Sequence, residues 1–209
     1  METYNFQTGD LLLFNNDHMF TPAGFFSWLI KYFTHSDWSH IGMIVKDPSD
    51  FTTHDPPLPK GLYLWESSLD FDDAEAHKMK LAVQLVPLKE RLESNRGIVH
   101  WRKLNPGTAE ITNEKLREIH NLVHGKPYDL NPIDWFDALI EHKSTRHTGR
   151  FFCSALVARI YSFLGLIDPE IDWSIIRPSS FSVENEDDST HITLINGNSL
   201  GPEIELQNN

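Results

Sequence analysis

The sequence predicts an α+β fold, with an antiparallel sheet of about five strands packed on three or four helices. Three observations predict it. Up to about position 104 most apolar residues form short runs of strand composition, whereas from about position 112 they recur with the helical period. The length of 209 residues, with 40% hydrophobic and 11% aromatic residues, suffices for one core. We therefore expect a single domain over 1–209, with its core at about 9–165 and an acidic loop and polar tail at 184–209.

The predicted strands are short apolar runs bounded by glycine, proline and polar residues. In Ser39–Val45, Ile41 and Met43 fall on one face of the strand and His40 on the other. A proline-rich loop, Asp47–Pro59, follows it. The remaining predicted strands are Asp10–Phe14, Gly61–Ser67, Leu81–Val86 and Gly97–Leu104, with an optional last strand at His191–Ile195.

The predicted helices follow capping signals and a helical apolar stripe. Thr112 is a candidate N-cap for a helix that runs to about His124 and stops at Gly125. Phe152–Leu164 is the most apolar helix, followed by Gly165, and should be the most buried. Two further helices are predicted at Ala23–Phe33 and Pro132–His142, and Pro87–Glu93 forms either a short helix or a turn.

Charge and composition restrict the partners that we expect. The net charge of −12 repels polyanions, so no nucleic-acid partner is expected. The longest apolar stretch, Phe151–Ile167, contains polar residues and is shorter than the roughly 20 apolar residues that span a bilayer. The first residues lack a basic region followed by an apolar run, so we expect no secretory signal. A cytoplasmic protein with no stable membrane insertion is the expectation, and the single cysteine fits a reducing compartment.

Three residues are candidates for chemistry, each with a purely structural alternative. Cys153 lies near the first turn of a predicted helix, where free amides and the helix dipole stabilise a thiolate, although buried cysteines usually only fill space. His40 lies inside a strand beside Gly42, where space is expected next to the imidazole; it is either a core histidine or a base held by the sheet. Glu66 ends an apolar run and either accepts a hydrogen bond from an imidazole or marks the surface end of a strand.

Five segments of the chain carry a family resemblance. They are Thr8-Gly9-Asp10-Leu11-Leu12, Trp38-Ser39-His40-Ile41-Gly42-Met43-Ile44-Val45, Leu64-Trp65-Glu66-Ser67-Ser68, Gly125-Lys126-Pro127-Tyr128-Asp129 and Phe151-Phe152-Cys153-Ser154-Ala155-Leu156-Val157. Together, over about Gly9 to Gly165 and in the order histidine strand, acidic strand, cysteine helix, they resemble the permuted branch of the NlpC-type papain-like cysteine hydrolases. That branch includes YiiX-like bacterial proteins and their poxvirus relatives, and lecithin:retinol acyltransferase-like enzymes are more distant.

The resemblance implies a circularly permuted papain-like fold and a catalytic triad. Cys153 would be the nucleophile, His40 the general base and Glu66 the group that orients the imidazole. Ala155 stands where many members have Glu after Cys-Ser. This difference leaves the triad complete, but the resemblance then implies no particular substrate for this chain.

Aromatic residues near these segments are candidates for substrate binding. Trp38 and Trp65 either line an acyl groove or belong to the core, and Tyr128 is either a pocket residue or part of a turn after Pro127.

The expected function is a cysteine hydrolase, amidase- or peptidase-like, that cleaves an amide or ester bond of a small-molecule, peptide or acyl-amide substrate through an acyl-thioester. A lipid acyltransferase or phospholipase is the first alternative, and a non-catalytic binding protein with the same fold is the second. No cofactor is expected. A metal site is disfavoured, because His120 and His124 share a helix but have no neighbouring Glu and no evident third ligand.

Overall fold

The structure is a computed structural model that describes residues 4–15, 37–53, 56–70, 80–124, 128–129, 153–173, 176–183 and 191–207. Within these ranges it has seven strands: β1 (Leu11–Asn15), β2 (His40–Lys46), β3 (Leu62–Asp70), β4 (Lys80–Pro87), β5 (Ile98–Asn105), β6 (Tyr128–Asp129) and β7 (Ser199–Glu205). The helices described there are α1 (Leu88–Ser94), α2 (Asn113–Val123) and α3 (Cys153–Phe163), with 3-10 turns at Pro48–Asp50 and Pro178–Phe181.

The strands form one sheet in the order β6-β4-β3-β2-β1-β5-β7, and every neighbouring pair is antiparallel. β1 is an interior strand next to the central strand β2, because Leu12 pairs with Gly42 of β2 on one side and with Trp101 of β5 on the other. The predicted α+β class and antiparallel sheet are therefore confirmed.

Two apolar cores lie on the two faces of the sheet, because neighbouring side chains along a strand point to opposite faces. In β1, Leu11 and Leu13 pack with α2 and α3, and we call this the helix-side core. Leu12 and Phe14 pack on the other face with Leu88 of α1, and we call this the opposite core. The helix-side core is the larger one and buries most of α3.

Local signals define the ends of α2 and α3. The Thr112 Oγ1 accepts a hydrogen bond from the Lys115 backbone N–H at 3.3 Å, so the predicted N-cap is confirmed. After α3, Gly165 adopts a φ of +75°, and the Leu166 N–H donates to the Tyr161 carbonyl at 2.9 Å. This is the left-handed ending that glycine permits at low cost.

The prediction was wrong about the C-terminal part of the chain. His191–Ile195 is not a strand, since the Ile192 N–H bonds Ser180 O and the Ile195 N–H bonds Leu166 O. Ser199–Glu205, expected to be a polar tail, forms β7 and pairs with β5. The core also extends past residue 165, because Phe181 and Ile192 are buried in it.

The structure decides two further predictions, and four others fall on residues that it does not describe. The segment predicted as a helix or turn after β4 is helix α1, and the sheet has seven strands where about five were expected. The predicted helices Ala23–Phe33 and Pro132–His142, the stop at Gly125 and the acidic loop Glu184–Ser189 lie outside the described residues.

Candidate active site

The site lies at one end of the paired strands β2 and β3. Their register runs from Lys46 opposite Leu62 to Met43 opposite Trp65. His40 lies three residues beyond the last of these pairs in β2, and Glu66 lies one residue beyond it in β3. Both side chains therefore come from the same end of the strand pair.

Glu66 is only 1% exposed, and three side chains hold its buried carboxylate in place. Its Oε2 lies 2.7 Å from His40 Nε2 and accepts a hydrogen bond from Arg91 Nε at 3.1 Å. Its Oε1 accepts one from Gln84 Nε2 at 3.2 Å, across the β3–β4 register. A buried carboxylate needs such partners, because desolvation without them would force it to become neutral.

Cys153 meets His40 from the other side. It is the first residue of α3, it is buried, and its side chain hydrogen-bonds to His40. Because Glu66 occupies Nε2 of the imidazole, Nδ1 is the ring nitrogen left for the thiol. The structure thus brings together the three predicted catalytic residues, Cys153, His40 and Glu66.

Two long-range hydrogen bonds fix α3 beneath the sheet. The Ser154 hydroxyl donates to the Ile176 carbonyl at 2.6 Å, next to the cysteine, and the Tyr161 hydroxyl donates to the Gly9 carbonyl just before β1. They anchor both ends of the helix, so the position of Cys153 relative to the sheet is determined by the tertiary structure.

The electrostatics of the site favour a charged imidazole. Burial by itself would lower the pKa of His40, but the charges of Cys153 and Glu66 and the hydrogen bonds to both outweigh it and raise this pKa to about 9. Burial would likewise raise the pKa of Glu66, but the charge and hydrogen bond of His40, and then those of Arg91, lower it to about 2. At neutral pH the pair is therefore an imidazolium beside a carboxylate.

Sequence reasoning missed three residues around this pair. Arg91 and Gln84 bind Glu66, and the Phe14 ring lies 5.4 Å from the His40 ring, centroid to centroid. Gln84 was detectable in principle, since it lies opposite Glu66 once the β3–β4 register is known. Nothing in the local sequence indicates that Arg91 turns toward the sheet.

The space expected beside Gly42 is not open. A Cβ at this position would lie 2.7 Å from Leu64 Cγ, so the Leu64 side chain already fills the site. Gly42 is therefore required for packing in the opposite core, and this prediction was wrong.

The residues predicted to bind substrate lie in different surroundings. Trp65 is fully buried in the helix-side core beside Phe51, and Trp38 is buried with its ring 4.9 Å from His100. Tyr128 of β6 pairs with Leu81 of β4, and the Tyr128 side chain lies outside the described part of the chain. The two tryptophans contribute to packing in this structure, and their role with a substrate stays a prediction.

Over the described ranges, no group of three or more His, Cys, Asp or Glu side chains has a metal-binding arrangement. In the same part of the chain, none of the helices has the length and apolar character needed to cross a membrane.

The fold and site together define an α+β protein with a buried Cys–His–Glu cluster. Among solved structures, the chain is similar to the crystal structure of the metalloprotein yiiX from Escherichia coli O157:H7, DUF1105, with 22% sequence identity and a TM-score of 0.47. The match covers 76% of this chain and 66%, slightly less than two thirds, of that chain. No family model and no curated protein matches the sequence. This similarity assigns no activity, ligand or family to the chain.

Proposed function

We propose that the protein is a thiol hydrolase that cleaves an amide or ester bond through an acyl-thioester intermediate. Cys153 is the nucleophile, His40 the acid and base, and Glu66 the residue that orients the imidazole. The observation that carries the proposal is the continuous hydrogen-bonded path from the Cys153 thiol through His40 to Glu66 Oε2. A nucleophile, a base and an orienting group connected in this way are the general requirements of covalent acyl transfer.

Acylation begins with the proton of the Cys153 thiol on His40. The thiolate sulfur attacks the carbonyl carbon, and the new C–S bond gives a tetrahedral oxyanion. Cys153 begins α3, so the backbone N–H groups of the first helical turn supply positive potential for that oxyanion. The bond to the leaving nitrogen or oxygen then breaks, and the His40 imidazolium donates its proton to the leaving group.

Deacylation reverses the roles of the same residues. Neutral His40 takes a proton from water, and the resulting hydroxide attacks the thioester carbonyl. The C–S bond breaks, a carboxylic acid leaves, and the thiolate and imidazolium are restored. Glu66 stays ionised throughout, because burial is outweighed by its hydrogen-bonded partners and its pKa is only about 2.

The finer parts of the proposal concern fold family, substrate and location. The order of histidine strand, acidic strand and cysteine helix is consistent with a circularly permuted papain-like fold of the NlpC type, with relatives of the YiiX kind. The substrate is a small or peptide-linked amide or ester, with an apolar acyl portion favoured over a polar one, and a net charge of −12 disfavours a nucleic-acid partner. We propose a cytoplasmic location.

The test uses the fact that Cys153 is the only cysteine in the chain. Wild type, Cys153→Ser and Cys153→Ala are incubated with acyl-amino acids, lysophospholipids and isopeptides, and the intact mass is measured after acid quenching. We expect a thioester adduct on wild type alone, with release of free acid.

Three results would contradict this proposal. Alkylation of Cys153 only after denaturation would make it a buried thiol and favour a binding protein. Transfer of the acyl chain to an amine faster than to water would make the protein an acyltransferase. An adduct with the mass of a diaminopimelyl peptide would replace the proposed substrate with peptidoglycan.

A further inference from the structure

Arg91 of α1 touches both groups that flank the His40 imidazole. Its Nε donates to Glu66 Oε2 at 3.1 Å, and its guanidinium carbon lies 4.5 Å from the centre of the Phe14 ring. The Phe14 ring in turn lies 5.4 Å from the imidazole. The Arg91 side chain is 18% exposed, so water screens these contacts only in part.

Arg91 and His40 share one oxygen of Glu66, Oε2, but only Arg91 keeps its positive charge throughout a reaction. That oxygen accepts from Arg91 Nε and also faces His40 Nε2 at 2.7 Å. Whenever His40 gives up its proton during a reaction, the carboxylate loses its nearest positive charge. Arg91 keeps its own charge at every working pH, because a guanidinium does not deprotonate in proteins.

We propose that Arg91 is a positioning residue, which holds the Glu66 carboxylate and the Phe14 ring beside His40 and keeps Glu66 ionised through the catalytic cycle. The inference rests on the proposed function, since it assigns Arg91 to the same site. Arg91 acts through its neighbours and need not touch a substrate.

The charge of Arg91 predicts a pH-dependent effect that simple packing would not produce. Arg91 is among the causes that lower the pKa of Glu66 against the opposing effect of burial. Without that charge, the pKa of Glu66 rises, because the carboxylate remains buried and loses one of the two charges that oppose the effect of burial. Protonated Glu66 then stops stabilising the His40 imidazolium, so the loss is greatest in mildly acidic solution.

The experiment follows Cys153 alkylation by iodoacetamide in Arg91→Met, Arg91→Gln, Arg91→Lys and wild type, at about pH 5 and about pH 8, with folding checked by circular dichroism. Arg91→Met should slow alkylation about 10-fold at about pH 5, which corresponds to a loss of about 1.4 kcal/mol of ion-pair stabilisation, and should slow it less at about pH 8. Arg91→Gln retains a donor without the charge and should show the same pH dependence. Arg91→Lys restores the charge and should recover most of the rate at the lower pH.

The matched control is Lys89→Met, which removes a cation from the same helix at a side chain that is 72% exposed. It should leave the alkylation rate unchanged at both pH values. If Arg91→Met does not fold, the comparison between Arg91→Gln and Arg91→Lys still tests the effect of charge.

The outcomes separate this inference from the proposed function. Equal losses at both pH values in all three Arg91 variants, or no loss in any, would overturn the role of Arg91 while wild-type Cys153 stays reactive. A wild-type Cys153 that reacts only after denaturation, whatever stands at position 91, would overturn the proposed function itself. A loss that is limited to the uncharged variants and is greatest in acidic solution supports both.

Discussion

Replacing Glu66 by Gln tests the buried ion pair of the site directly. The change keeps the size of the side chain but removes the charge that faces His40 Nε2 at 2.7 Å and Arg91 Nε at 3.1 Å. It also sets an amide group among the donors of Gln84, Arg91 and His40, where an acceptor is needed. We expect Glu66→Gln to fold but to be less stable than wild type, by an amount that depends on pH.

The magnitude follows from the pKa of Glu66, which is lowered from 4.5 to about 2. At about 1.4 kcal/mol per pKa unit, this corresponds to about 3 kcal/mol of stability above pH 4.5, lost as the pH falls through about 2. The pKa of His40 is raised from 6.5 to about 9, so its contribution is complete below pH 6.5 and is lost as the pH rises through about 9. Cys153 contributes most to the raised pKa of His40, and the His40–Glu66 interaction contributes to both shifts, so the two are not added.

The stability difference between wild type and Glu66→Gln should therefore be largest between pH 4.5 and 6.5 and smaller on both sides. Urea denaturation followed by tryptophan fluorescence across this range measures it. Glu93→Gln is the matched control, because Glu93 is 64% exposed and pairs with Lys89 on the surface of α1; it should cost no more than about 0.5 kcal/mol. A difference that is constant with pH, or below about 1 kcal/mol at its maximum, would refute the assigned ion pair.

Two further predictions concern the proposed catalytic pair, Cys153 and His40, and the packing of Gly42. Cys153→Ala and His40→Ala should each lower the acylation rate by about 10³-fold or more, and the double variant should lose little beyond either one. Independent, multiplying losses in single-turnover assays would mean that the two residues do not act as a unit. Gly42→Ala should destabilise the fold by about 1–3 kcal/mol in thermal or urea melts, because its Cβ would lie 2.7 Å from the buried Leu64 Cγ. Leu64→Ala should make the same change at Gly42 less costly, and equal costs in both backgrounds would contradict this explanation.

Much of the fold was predictable from local patterns. The strands β1 to β5 follow short apolar runs bounded by glycine, proline and polar residues, and the start of α2 follows the Thr112 cap. β7 was missed because its largely exposed residues show no clear alternation of apolar and polar side chains. Its backbone pairs with β5, which lies about 100 residues earlier in the sequence. Short polar edge strands depend on a partner that lies far away in the sequence.

The candidate site divides in the same way. Cys153, His40 and Glu66 were identified from their types, their local settings and a family resemblance, all readable along the chain. Arg91 was not, because its contact with Glu66 spans 25 residues and requires α1 to fold back against β3. The prediction of open space beside His40 was also wrong, because the Leu64 side chain of the neighbouring strand fills the space next to Gly42.

The sequence by itself determined the α+β class, the positions of most strands and the three residue types that can perform acyl transfer, because these depend on periodicity, capping and chemical identity. Only the tertiary structure decided which charges meet and which side chains fill the remaining space. The pKa values of His40 and Glu66 are the clearest case, since each results from opposing effects of burial and nearby charge. Both effects vary steeply with distance over a few ångströms, and a one-dimensional pattern does not specify such distances.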